Sequence, residues 1–171
     1  MNRAPRRGVE YSRGTEAENP AETDRQRRSS LTTALSLLAV AGGLLLIVAT
    51  FLPVLRISVD GEVLTALDRT GWDEHGAALL ALGLFALALT PAAFRGARPA
   101  AIAIALVGVA ALAIAIASDL PDVGDTGSVG MRLEDAEIGT GLGIYAETLG
   151  GVLLLAAGGM LAFTSGREWR D

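Results

Sequence analysis

Charged side chains leave four long gaps in this chain. Residues 31–52 run for 22 positions without an acid or a base, 76–94 for 19 and 100–117 for 18, and 141–163 add 23 broken only by Glu147. A hydrocarbon core ~30 Å thick takes ~20 helical residues at ~1.5 Å each. Backbone in lipid must satisfy its own hydrogen bonds, which makes such blocks helices. The pattern predicts an all-α membrane protein: an up-down bundle of four transmembrane helices, about 31–52, 76–94, 100–117 and 141–164. In the third block alanine and isoleucine alternate over 101–105 and 113–117, a strand-like period. Both faces of that alternation are apolar and the run is far longer than a strand, so helix is the better reading.

Small residues mark the faces that turn inward, because lipid supplies no hydrophobic drive to helix association and close backbone approach must replace it. Thr32, Ser36, Ala39, Gly43 and Thr50 share a stripe of the first helix, and Gly76, Gly83, Ala86 and Thr90 one of the second. Ala101, Ala105, Gly108, Ala111 and Ala115 follow in the third. In the fourth, Gly143, Glu147, Gly150 and Gly158 lie on one face and Tyr145, Leu149, Val152, Met160 and Phe163 on the other.

Charge sets the expected orientation. All 14 basic residues are arginine and none is lysine, the codon habit of a GC-rich bacterial genome. Eleven arginines (seven within 1–30, then Arg95, Arg98, Arg167 and Arg170) fall on one side of the predicted spans. Arg56, Arg69 and Arg132 fall on the other. The positive-inside rule then places both termini in the cytoplasm of a bacterial inner-membrane protein. Residues 1–30 and 166–171 read as cytoplasmic tails, the first disordered and arginine-rich. Arg27-Arg28 ahead of the first block suggests an export signal, but that block outruns a signal-peptide core and three more follow. A basic cluster flanking the membrane, in reach of anionic headgroups, is expected instead. A net charge of −5 gives a nucleic-acid partner no support.

The connection 53–75 carries its own fold signal. Leu55, Ile57 and Val59 alternate with polar residues, Asp60-Gly61 suits a two-residue hairpin turn, and a second run follows. A β-hairpin of 55–59 and 62–67 is expected on the extracytoplasmic end, with 128–133 as a third strand. Trp72 is placed as an interface anchor, and Asp73 and Glu74 as first-turn carboxylates of the second helix. Asp73, Glu74 and His75 make a poor metal site, since adjacent helical residues point apart. Asp119, Asp122 and Asp125 lack the ligand spacing of a calcium hand. No metal or other cofactor is expected.

Glu147 is the most informative residue. It lies about two turns inside the fourth block on the glycine face, where an ionisable group is costly. It defines a candidate polar site within the membrane, with Thr50 and His75 beside it; pairing with Arg56 is the alternative. One histidine and no cysteine leave little from which to build an acid–base or nucleophilic centre. Phosphate-loop, nucleophile-elbow and zinc-protease motifs are missing as well. No enzyme and no small-molecule substrate are expected.

A proline after helix one, a hairpin, Gly71-Trp72-Asp73 ahead of helix two and 139–145 (Gly-Thr-Gly-Leu-Gly-Ile-Tyr) opening helix four resemble the small four-span integral membrane proteins common in actinobacteria. The layout is similar in architecture to claudins, four spans with a sheet in the first loop, without that family's paired cysteines. The resemblance implies a fold and no site residue. The role expected is a non-enzymatic scaffold or accessory subunit, with the lipid bilayer and a second copy or another membrane protein as partners. Two alternatives stay open: a small cation or proton pathway through Glu147, and an extracytoplasmic sensor of divalent ions.

Overall fold

Each apolar block folds as a helix. The computed structural model of the chain describes residues 20–59, 62–63, 69–119, 126–127 and 136–165. The long helices are α1 (Pro20–Ala49), α3 (Ala78–Phe94), α4 (Arg98–Ile114) and α5 (Leu142–Ser165). Residues Gln26–Ala49, Arg98–Ala117 and Leu142–Ser165 are each long and apolar enough to cross a membrane, which marks the chain as a membrane protein. At 17 residues, Ala78–Phe94 is a shorter apolar helix. α1 packs on α3 and α5, and α4 packs on the same two, closing a ring.

Three boundaries differ from the sequence reading. α1 starts at Pro20 rather than 31, so part of the expected disordered tail is helical. It carries no apolar period there, but adding a turn to an existing helix is cheap once nucleation is done, and Glu22 in the first turn complements the dipole. α1 also ends at Ala49, short of 52, as the chain turns into a strand. The second block divides: its expected first turn is a separate short helix, α2 (Gly71–His75), and Gly76 breaks the run with φ of 56° before α3 begins. Beyond α4, a π-helical turn at Ala115–Asp119 finishes the third block.

The inward faces coincide with the small-residue stripes. Ser36, Ala39 and Gly43 are buried on α1 and Thr50 just past its end, Gly83, Ala86 and Thr90 on α3, and Gly143, Glu147, Gly150 and Gly158 on α5, while Thr32, Gly76 and Ala105 are half-buried. Tyr145, Leu149, Val152, Met160 and Phe163 are exposed. Backbones touch where glycines meet: a Cβ on Gly83 would stand 2.7 Å from the Gly43 carbonyl, and one on Gly42 2.9 Å from that of Gly150. These glycines are used up inside the chain. They carry no argument for a partner.

A small antiparallel sheet caps one end. Its centre is β1 (Pro53–Val59), flanked by β2 (Glu62–Val63) and β3 (Arg69–Thr70) on one side and β5 (Ala136–Thr140) on the other, with β4 (Thr126–Gly127) beyond β5. The Val59–Glu62 register makes β1 and β2 the expected hairpin; the rest of its second arm, 64–67, lies outside the described residues. So do 128–133, the expected third strand. The strand that pairs with β1 along its length is instead β5, Leu55 opposite Thr140 through Val59 opposite Ala136. Residues 1–19 and 166–171 also lie outside the described residues.

Candidate functional site

The corner between α1 and β1 positions the site. The Trp72 amide donates to the Thr50 carbonyl at 2.7 Å and the Gly71 amide to that of Leu52 at 3.2 Å, so α2 caps the open end of α1. From the other side the Gly141 amide donates to the Val54 carbonyl at 2.7 Å, which seats the start of α5 on β1. A Cβ on Gly71 would stand 2.7 Å from the Ala49 carbonyl, and one on Gly141 would collide with the Pro53 carbonyl. Only glycine lets the two chains approach this closely.

This clamp brings His75, the last residue of α2, against Glu147 of α5. Nε2 lies 3.9 Å from Oε2, and the two side chains are 8% and 0% exposed. Glu147 is five residues into α5, about 7 Å below its start. Of the sequence-predicted set, the structure joins Glu147 and His75. Thr50 is buried nearby in the chain, but its hydroxyl donates to its own helix at the Leu46 carbonyl, 3.0 Å away. Arg56, the alternative partner, is exposed on β1.

Beneath the pair the core is apolar. Leu46, Ile104, Leu154 and Ala157 are fully buried there, and the buried hydroxyls of Ser36 and Thr90 bond to carbonyls of their own helices. Among the described residues no polar chain links Glu147 to the far end. Nor do those residues hold any group of three or more metal-ligating side chains.

The three neighbours of the discarded metal reading face three ways. Asp73 accepts from the Thr70 hydroxyl at 2.7 Å and the Thr70 amide at 3.0 Å, while its own amide donates to Thr70 Oγ1 at 3.4 Å. This is a capping box. Glu74 pairs with Arg69 at 2.9 Å, and His75 turns inward. Sequence reading missed Thr70, although the Thr-x-x-Asp spacing of 70–73 was legible. Trp72, 48% exposed, stacks on Phe51 with ring centroids 6.5 Å apart. Asp122 and Asp125 lie outside the described residues.

The Thr70 hydroxyl and amide hold the Asp73 carboxyl below its ordinary value of 3.8. A depressed folded-state value means that this cap stabilises α2 at pH above the ordinary value and is lost as pH falls through the folded one. With Trp169→Phe as background, which leaves Trp72 as the single tryptophan, Trp72 fluorescence is expected to report loosening of α2 only in acid below that range. Asp73→Asn should abolish the transition.

No protein-family model matches this chain, and no curated protein matches it. Its function rests on geometry.

Proposed function

We propose that the chain is a four-span protein of the bacterial cell membrane with both termini cytoplasmic. It acts without catalysis, as a scaffold or accessory subunit whose sheet end engages a second copy or another membrane protein. The observation that carries this reading is the way the sheet is fixed. α2 and α5 clamp one corner, the Glu147–His75 contact lies under it, and an apolar core closes the space below. A small sheet alone is marginal in water; fastened to a helical body, it becomes a stable surface for recognition. Arginine asymmetry, eleven against three, supports the orientation, and α3, although short, supports a fourth span by packing in the ring.

The full chain, extracted in mild detergent and weighed by native mass spectrometry, is expected as a defined oligomer or in stoichiometric complex with one membrane protein. A persistent monomer overturns the proposal.

The second reading is a cation or proton pathway, favoured by a fully buried carboxyl facing an imidazole. Purified protein in liposomes would then pass protons or sodium, and Glu147→Gln would stop the flux. Absence of flux, or flux untouched by that change, removes it.

A further inference from the structure

The end of the molecule opposite the sheet holds a cavity of about 410 Å³ between α1, α3 and α5, within the ~300–1,000 Å³ usual for small-ligand sites. Arg28 enters its lining from α1 and Arg95 from the turn after α3, and no lining residue is acidic. Among the described residues neither guanidinium has a carboxylate partner. Two arginines that line one cavity, with no carboxylate partner among the described residues, favour an anion that accepts several hydrogen bonds at once, and phosphate is one that guanidinium geometry fits.

The hydroxyls of the same wall have the opposite character. Thr164 donates to the carbonyls of Met160 and Leu161, both at 3.0 Å, and Ser165 to that of Leu161 at 2.8 Å. With those protons donated to the backbone, each oxygen keeps lone pairs that can accept from a bound group. The cavity therefore combines anion-binding donors with neutral acceptors. The rim is apolar: Leu31 and Phe94 are 43% and 51% exposed on the outer surface of the helices.

We propose that this cavity is a phospholipid site. Arg28 and Arg95 hold the phosphate diester, the Thr164 and Ser165 oxygens accept from a headgroup with hydrogen-bond donors (glycerol hydroxyls or an ethanolamine ammonium), and the acyl chains lie over Leu31 and Phe94. Basic pockets between helices at the membrane surface suit such headgroups. The inference rests on the membrane reading above. It goes further by selecting among lipids: a choline headgroup has the same phosphate but no donor.

The test uses the full chain in maltoside detergent, its melting temperature followed during titration with phosphatidylglycerol, phosphatidylethanolamine, phosphatidylcholine or inorganic phosphate. The first two are expected to raise it and to stay bound in native mass spectra, with phosphatidylcholine about tenfold weaker and inorganic phosphate without effect. Arg28→Gln with Arg95→Gln should weaken the response to phosphatidylglycerol about tenfold or more and leave the lipid-free melting temperature unchanged, since both side chains are exposed. Thr164→Val with Ser165→Ala should erase the preference over phosphatidylcholine alone. An equal response to phosphatidylcholine, a double arginine variant that responds like the parent, or inorganic phosphate reproducing the shift would each overturn the proposal. Extraction of the chain from membranes by alkaline carbonate would instead overturn the membrane reading, so the two failures are separable.

Discussion

Gly158→Ala is expected to lower the unfolding free energy by about 1–3 kcal/mol, the usual range for overpacking. Gly159→Ala, one residue along, should raise it by about 0.5–1 kcal/mol through helix propensity alone. The contrast follows from what a methyl group would meet. At Gly158 it would collide with the Ala105 amide nitrogen and stand 2.7 Å from the Ala101 carbonyl. Those are backbone atoms of α4, which cannot swing aside as a flexible side chain can. At Gly159 nothing lies within 4 Å. Gly108 repeats the geometry from the other helix, against the Leu155 amide and, at 2.6 Å, the Gly151 carbonyl. Gly108→Ala should therefore behave like Gly158→Ala, and the pair should push α4 and α5 apart along their length. Unfolding titrations in mixed detergent micelles measure each variant. Equal effects at 158 and 159 would show that α4 and α5 do not meet at that point.

Removing one member of the buried polar pair should cost about as much. His75→Leu takes away the imidazole 3.9 Å from the fully buried Glu147, and an interior polar group that loses a partner costs about 1–3 kcal/mol. Glu147→Leu removes the same contact from the other side. Glu147→Gln keeps shape and hydrogen-bonding capacity and should leave expression intact. Changing both residues to leucine replaces a polar pair by apolar volume, which is often close to neutral. The double variant is thus expected to be more stable than the sum of the single losses predicts, by a coupling of about 1–3 kcal/mol. The same micelle titrations read all four proteins. Additive losses would mean that the two side chains act independently.

The helical faces were legible in the sequence because lipid enforces a simple rule: small residues must face small residues wherever backbones meet. Ser36, Gly43, Gly83 and Gly158 obey it, and so do the exposed Tyr145 and Phe163. Glu147 was legible for a related reason, since a single acid in a long apolar run must face inward. What escaped was decided by tertiary contact. The extra turns at the start of α1 have no apolar period to reveal them. The break at Gly76 depends on α2 seating against Thr50 and Leu52, which no local propensity encodes. Strand β5 reads weakly, as Ala-Glu-Ile-Gly-Thr with glycine near its end, and it exists because β1 offers it a free edge. For the site, the 53–75 segment was recognised as an anchor and a cap. Thr50 and His75 were both expected beside Glu147; that the contact falls to His75 follows from two separate clamps on one corner.

The pairing of β1 with β5 also dictates an order of assembly. Residues 53–59 leave the ribosome well ahead of residues 136–140, with two long helices made in the interval, so the central strand must wait for a late-made neighbour. The cap consequently cannot close until residues 136–140 have been made, after α4. A nascent chain halted after α4 would display β1 with one edge bare, a form that quality-control proteases can tell from the finished protein.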